Sequence, residues 1–147
     1  MAIGLSHVSI RTADLDACRR FYVDLVGLAE GPRPPFPFPG LWLYAGSTED
    51  WSGAVIHVIG TDPADPRGLN DYLGAREGAL PCGGGAVDHV AFSVTGLADM
   101  RRRLADHGLV ARERTVPGLG LHQLFLEDPD GIVVELNFPA REAGDTG

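Results

Sequence analysis

The chain begins with a short alternation of apolar and polar residues that predicts a strand over Leu5–Ile10. Asp14 follows as a plausible helix N-cap, and Gly27 is placed where a helix would end. Between these two positions, apolar residues recur at helical spacing: Leu15, Cys18, Tyr22 and Leu25. The start of the chain therefore predicts a strand followed by a helix.

A second stretch repeats this pattern at an offset of 82 residues. Val87–Val94 alternates as a strand does, and a helix with apolar positions at Leu97, Met100 and Leu104 ends at Gly108. The offset pairs His7 with His89, Val8 with Val90, Ile10 with Phe92, Leu15 with Leu97, and Arg19 and Arg20 with Arg101 and Arg102. Such self-similarity indicates two copies of one supersecondary unit.

The ends of the two copies also match, at an offset of 78 residues that pairs His57 with Glu135. The turn Asp128–Gly131 predicts a tight hairpin into the last strand. Besides the two first strands, six more are predicted: Leu28–Arg33, Leu41–Tyr44, Ala54–Gly60, Val110–Val116, Leu121–Leu126 and Ile132–Phe138. Each copy would then be a strand, a helix and three strands.

The predicted fold class is α+β, with two βαβββ modules that belong to one domain. Module one covers about residues 1–60, module two about 86–140, and a short tail covers 141–147. The segment 61–85 is rich in Gly, Pro and Asp, and we expect it to be a flexible connector. Arg33–Pro39 contains four prolines in module one only, and predicts a stiff extended loop that forms a lid or rim.

Composition narrows the function classes. Of 147 residues, 44% are hydrophobic and 22% charged, which is typical of a globular protein, and no apolar run is long enough to span a membrane. The net charge of −8 argues against nucleic-acid or acidic-membrane partners. Cys18 and Cys82 lack the spacing of a zinc or disulfide motif, and Met1–Ile10 lacks signal-peptide features. We therefore expect a cytoplasmic protein.

Four polar residues stand at repeat-equivalent strand positions: His7, His57, His89 and Glu135. In each predicted strand, the neighbouring apolar residues point to one face and the polar residue points to the other. If helices cover the apolar rows, all four polar side chains line the opposite surface of the sheets. Imidazole and carboxylate groups are ligands that divalent metals prefer, so the pattern predicts one metal site.

Other polar and aromatic residues are candidates for contact with a substrate. Trp42 and Tyr44 share one strand parity, as do Gln123 and Phe125, so these side chains could line a pocket, although core packing explains them equally well. His122 and Gln123 begin a strand after a Gly-rich turn. We expect one of them to face the substrate or support a ligand, with ordinary strand-edge polarity as the alternative.

These residues resemble the vicinal oxygen chelate superfamily, which includes glyoxalase I, extradiol dioxygenases, methylmalonyl-CoA epimerase and the fosfomycin and bleomycin resistance proteins. The resemblance runs from His7–Ile10 to Leu136, and its strongest motifs are Asp88–Phe92 and Asp128–Gly131 followed by Glu135. It implies a cup of two curled βαβββ sheets around one divalent metal, with His7, His89 and Glu135 as ligands.

The resemblance implies an enzyme of the glyoxalase-like branch, a lyase or isomerase acting on a small substrate with vicinal oxygens. His57 stands where glyoxalase I has a glutamate and would be a fourth ligand and catalytic residue, with Glu135 as the candidate base. The metal could be Zn, Ni, Co, Mn or Fe(II). One alternative is an Fe(II) ring-cleaving dioxygenase, which would have Phe125 where those enzymes usually place a Tyr acid. The other is a non-catalytic antibiotic-binding protein. We also expect a homodimer, in which the cup forms within one chain or between exchanged modules.

Overall fold

A computed structural model describes residues 1, 3–50, 53–75, 82–85 and 87–144. The chain divides into two compact units, Met1–Gly83 and Gly84–Gly147. Each unit contains one of the two predicted βαβββ modules, so the α+β prediction is confirmed. No helix of the described residues is long and apolar enough to cross a membrane.

The described residues of the first unit form four strands and two α-helices. Its first helix, α1 (Leu15–Arg19), continues directly as one segment of π-helix over Arg20–Val26. In chain order the elements are β1 (Val8–Thr12), α1 (Leu15–Arg19), β2 (Ala29–Gly31), β3 (Gly40–Tyr44), β4 (Ala54–Gly60) and α2 (Arg67–Leu73).

The sheet of the first unit has the strand order β1-β4-β3-β2. Strand β1 runs parallel to β4, and the other pairs are antiparallel. The register places Leu41 and Ile10 opposite Val58, so these apolar side chains share one face and are buried. Trp42 and His57 are paired on the other face. One side of the sheet is therefore core, and the other carries the candidate site residues.

Local signals start and end the first helix as predicted. The Asp14 carboxylate accepts a hydrogen bond from the Ala17 backbone N–H at 2.9 Å, which caps the first turn. Gly27 follows the π-helix with a φ of 95°, a left-handed conformation that suits glycine. The buried residues of this helical segment are Cys18, Phe21, Tyr22 and Leu25.

The second unit repeats the topology, with the strand order β5-β8-β7-β6. Its hairpin between β7 and β8 is closed by Asp128, whose carboxylate accepts hydrogen bonds from the backbone N–H groups of Asp130 and Ile132 at 2.9 and 2.8 Å. The elements are β5 (His89–Ser93), α3 (Leu97–Asp106), β6 (Arg112–Val116), β7 (Leu121–Glu127) and β8 (Val133–Pro139), with 3₁₀ turns at Pro117–Leu119 and Ala140–Glu142.

Two sequence predictions need correction. The first strand of each unit begins later than predicted: β1 by three residues, at Val8, and β5 by two residues, at His89. His7 therefore precedes β1 rather than lying within it. The connector 61–85 was predicted to be flexible, but it contains the helix α2 over Arg67–Leu73. Residues 76–81 of that connector lie outside the described part of the chain.

Candidate functional site

His57 lies in the middle of β4, on the face of the first sheet that the helix does not cover. Its ring stacks on the ring of His7 at 3.7 Å and on the indole of Trp42 at 3.9 Å between centroids. Two rings cannot occupy the same face of an imidazole at these distances, so His57 is held between them. Both ring nitrogens lie in the imidazole plane, and stacking leaves this edge as the reactive surface.

The surroundings of His57 favour its neutral form. Burial, together with the positive charges of His7 and Arg33, lowers the pKa of His57 to about 4. At neutral pH the imidazole is therefore unprotonated and keeps a nitrogen lone pair that can bind a metal. This state suits the predicted role of a metal ligand, whereas the low pKa makes the ring a weak base.

A pocket of about 370 Å³ opens beside these rings, entirely within the first unit. Its size is within the range of small-molecule sites. Its walls include the three stacked rings and side chains contributed by β1, the Pro-rich loop 32–39 and α2: Ser9, Arg11, Arg33, Phe36, Phe38 and Tyr72. The loop was predicted as a lid or rim, but none of its side chains was named for the site, although its clustered aromatic residues were a usable signal. The contribution of α2 was not predicted.

Tyr44 was predicted to contact the substrate with Trp42, and the structure gives it a different place. The register pairs Trp42 with Gly31 and Tyr44 with Ala29, so both belong to one face. However, Tyr44 is fully buried, and its hydroxyl donates a hydrogen bond to the Pro32 carbonyl oxygen at 2.6 Å. Tyr44 therefore anchors the start of the Pro-rich loop and has no surface free for a ligand.

In the second unit, Glu135 lies in β8 with its side chain nearly buried. Its Oε1 accepts hydrogen bonds from the Gln123 and Asn137 side-chain amides at 2.8 and 2.7 Å. Its Oε2 lies 3.3 Å from Nε2 of His89, whose Nδ1 is 2.7 Å from an oxygen of Asp88. One carboxylate oxygen is thus fixed by amide donors, while the other meets an imidazole nitrogen.

The amide of Gln123 is itself oriented. Its oxygen accepts a hydrogen bond from Nε of Arg114 at 2.6 Å, so its nitrogen must point toward Glu135. Phe125 is paired with Glu135 on the same face, and the guanidinium groups of Arg112 and Arg114 lie 4.5 and 5.1 Å from its ring centroid. The bond between Arg114 and Gln123 was not predicted from the sequence.

His122 was predicted to face the substrate or support a ligand, but the structure places it on the opposite face of the second sheet. It precedes Gln123 in β7, and side chains alternate along a strand. Its Nε2 and Nδ1 lie 2.8 Å from Glu113 and Thr115, and Glu113 is bound by Arg101 of α3. His122 therefore belongs to the face that α3 covers.

The donor groups fit a divalent metal. His7 and His57 offer imidazole nitrogens in the first unit, and His89 and Glu135 offer a nitrogen and an oxygen in the second. Mixed nitrogen and oxygen ligands suit Zn, Ni, Co, Mn and Fe(II). The carboxylate of Asp88 on His89 Nδ1 is the usual way in which a metal-binding histidine is oriented.

A family model described as "Glyoxalase/Bleomycin resistance protein/Dioxygenase superfamily" matches residues 4–136. The chain belongs to this superfamily. The resemblance drawn from the His7–Ile10, Asp88–Phe92 and Asp128–Glu135 segments is therefore confirmed.

Individual members of the glyoxalase/bleomycin resistance protein/dioxygenase superfamily are similar over nearly the whole chain. A Synechocystis protein named "Probable lactoylglutathione lyase" is 30% identical over 141 residues, covering 90% of this chain and 92% of its own. A glyoxylase/bleomycin resistance protein/dioxygenase domain from Frankia superimposes with a TM-score of 0.61 at 23% identity, covering 95% and 93% of the two chains. The fosfomycin resistance protein FosX from Listeria monocytogenes gives 0.61 at 17% identity, with 94% of each chain covered.

Proposed function

We propose that the protein is a metal-dependent lyase or isomerase that acts on a small substrate with adjacent oxygen atoms. His7, His57, His89 and Glu135 would together hold one divalent ion. The observation that carries the proposal is the pairing of Glu135 Oε2 with His89 Nε2 at 3.3 Å, beside an Oε1 that two amides fix. The name of the Synechocystis relative favours a lyase among the activities of the superfamily.

In this proposal, Glu135 also moves the proton. A bound divalent ion would act as a Lewis acid that polarises the substrate oxygens. Glu135 Oε2 would take a proton from one oxygen-bearing carbon of the substrate and deliver it to the adjacent oxygen-bearing carbon, while Gln123 and Asn137 keep Oε1 in place. His57, neutral and held between two rings, completes the ligand set without adding charge.

Metal content tests the ligand assignment. Protein purified without added metal should contain one divalent ion per chain by elemental analysis, and His89→Ala and Glu135→Ala should each lose it while keeping the wild-type circular dichroism spectrum. His107→Ala is the matched control, because His107 is an exposed histidine that follows α3. If both ligand variants keep a full equivalent of metal, the assignment is wrong.

Oxygen uptake separates this proposal from a ring-cleaving dioxygenase. We expect no oxygen consumption by the Fe(II)-loaded protein with a panel of catechols, because His57 would fill a coordination position that the dioxygenase needs open, and Phe125 has no hydroxyl to act as an acid. His57→Ala should also weaken metal binding. Rapid uptake with ring-cleaved products, and equal Fe(II) affinity in the two proteins, would contradict the lyase or isomerase. Tight binding of an antibiotic without turnover of any substrate would favour the binding protein.

We also propose that the protein forms a homodimer. Large apolar side chains before β1 and β5 are exposed, namely Ile3, Leu5 and Val87. β1 and β5 are edge strands of their sheets, and such edges next to apolar surface are commonly covered by a partner. Light scattering at micromolar concentration should give twice the chain mass, and a monomer with bound metal and full activity would contradict the dimer.

A further inference from the structure

Arg33, a partly buried arginine that lines the pocket of the first unit, lies against two aromatic rings. The guanidinium carbon of Arg33 lies 5.0 and 5.1 Å from the ring centroids of Phe36 and Phe38. Its Nη2 donates a hydrogen bond to the Phe38 carbonyl oxygen at 2.7 Å. These contacts hold the guanidinium in one position against the pocket, rather than extending it into water.

The sheet beneath makes room for this group. A Cβ at Gly40 would lie 3.1 Å from Nε and 3.2 Å from Nη2 of Arg33, and it would overlap the Val58 carbonyl oxygen. Glycine at this position therefore leaves room for the guanidinium next to the start of β3. Contacts from the loop and from β3 thus fix the position of the Arg33 guanidinium. A binding site for a specific group requires side chains that are held in position in this way.

Arg33 has no carboxylate partner in the part of the chain that the structure describes. Other arginines have one: Arg19 pairs with Glu30 and Arg101 with Glu113, each at 2.6 Å. Burial alone lowers the pKa of Arg33, with no acidic group to oppose it. A half-buried cation with several unused N–H donors gains most from an anionic ligand.

Aromatic rings form much of the remaining wall, and Ser9 and Arg11 of β1 also line the pocket. The rings of Phe36 and Phe38 stack at 5.4 Å with an angle of 4°, and Tyr72 of α2 lies 4.8 Å from Phe36. Trp42 lies 6.1 Å from Phe36 and continues the row of rings to His57. Such a row suits a planar group that can lie between aromatic faces.

We propose that this pocket binds a carboxylate attached to a planar apolar group, with Arg33 as the partner of the carboxylate and the ring row as the partner of the planar group. The inference rests on the proposed function, because it names the substrate class that would be brought to the candidate metal ligands. The pocket lies within one unit, however, so its binding is measurable without metal. Failure of the metal proposal would leave that measurement intact.

The test uses three small probes on the metal-free full chain. 3-Phenylpropionate carries both features, 3-phenylpropanamide keeps the ring without the charge, and propionate keeps the charge without the ring. The fluorescence of Trp42 reports binding in a Trp51→Phe background, since the chain has two tryptophans. We expect 3-phenylpropionate to bind at least about tenfold more tightly than either of the other two probes, because each lacks one set of contacts.

A matched pair of variants then assigns the anion partner. Arg33→Gln should weaken 3-phenylpropionate about tenfold or more and leave 3-phenylpropanamide unchanged, because only the charge-assisted contact is lost. Arg20→Gln removes the same charge from an exposed helical position in the same unit and should change neither affinity. Equal affinity of the acid and the amide, an unaffected Arg33→Gln, or no binding of 3-phenylpropionate would each overturn the proposal.

Discussion

The two units have the same strand topology and an equivalent ion pair between helix and sheet. The side chains on the sheet face that the helix does not cover differ between them. In each unit the helix reaches the second strand of the module through an arginine and a glutamate, Arg19 with Glu30 and Arg101 with Glu113. The registers also match, since Trp42 is opposite His57 and Phe125 is opposite Glu135. Backbone positions are therefore equivalent in the two halves.

The side chains at these equivalent positions behave differently. His57 is held by stacked rings and loses water, whereas Glu135 is held by hydrogen bonds from two amides. Trp42 covers His57, whereas Phe125 lies beneath two guanidinium groups. The comparison teaches that a duplicated fold fixes where a side chain stands, while its neighbours decide its surroundings: stacked rings for His57 and hydrogen-bond donors for Glu135.

The largest expected effect is on the proton-moving half. Glu135→Gln keeps the shape and removes the base, so turnover should fall by at least about 100-fold. The assay is a panel of 2-hydroxy ketones and 2-oxo aldehydes that the metal-loaded wild type converts. Glu127→Gln, at the exposed end of β7, is the control and should keep wild-type turnover. Undiminished turnover in Glu135→Gln would assign the proton transfer to another residue.

A smaller loss is expected when the support of Glu135 is removed. Gln123→Leu deletes the amide that joins Arg114 to Glu135, and such supporting contacts are worth about 10- to 100-fold in metal affinity. Competition with a chromophoric chelator measures that affinity. Arg114→Gln should give part of the same loss, because the Gln123 amide is then free to turn. Wild-type metal affinity in Gln123→Leu would show that the hydrogen bond from Asn137 alone is enough to hold Glu135 in place.

In the first unit, the stacking of Trp42 on His57 should matter less. Trp42→Leu removes the ring, exposes the imidazole to water and should weaken metal binding by only several-fold, since His57 itself remains. Trp42→Phe keeps a stacked ring and should recover most of the affinity in the same titration. A loss as large as that of Gln123→Leu would mean that the two units hold their ligands equally firmly.

The smallest effects concern stability and compare the two ion pairs. Arg101 and His122 lower the pKa of Glu113, so its stabilisation is complete above the usual value of 4.5 and is lost as pH falls through the folded-state pKa. At neutral pH, Glu113→Gln should lower the free energy of unfolding by about 1–2 kcal/mol, because His122 loses its partner too. Glu30→Gln, at an exposed pair, should cost less than about 1 kcal/mol. Urea unfolding at neutral and acid pH measures both, and equal losses would contradict the role of His122.

The sequence predicts an element well when the pattern that defines the element lies within its own residues, and less well when its ends depend on pairing with a distant strand. Ala54–Gly60 was placed at its observed bounds because its alternation is strong and buried on one side. The strand predicted from Leu5 was too long because pairing with β4 begins only at Val8, opposite Ile56. The α2 helix was missed because Gly68 and Asn70 are poor helix formers.

The same distinction holds for the candidate site: its strand residues follow from a local pattern, whereas its loop and helix residues do not. Strand parity put Gln123 and Phe125 on one face of their strand, and the register shows that Phe125 is paired with Glu135. The positions of Arg33 and Tyr72 depend on how a loop and a helix pack on each other, which no periodic pattern encodes. A Cβ at Gly68 would overlap the Pro37 carbonyl oxygen, so this glycine lets α2 approach the Pro-rich loop closely. That contact is visible only in three dimensions.

The Pro-rich loop and α2 lie outside the elements that the two halves share, so the proposed metal site and the outer wall of the pocket belong to different kinds of segment. Residues that would hold the metal and move the proton belong to the duplicated strands, where a change disturbs the catalytic centre. The outer wall of the pocket belongs to the unduplicated segments that contribute Phe36, Phe38 and Tyr72. We expect substitutions in the loop and in α2 to change which molecule the pocket binds without changing the proposed metal ligands. These two segments are therefore the part of the chain to vary when a new substrate specificity is engineered.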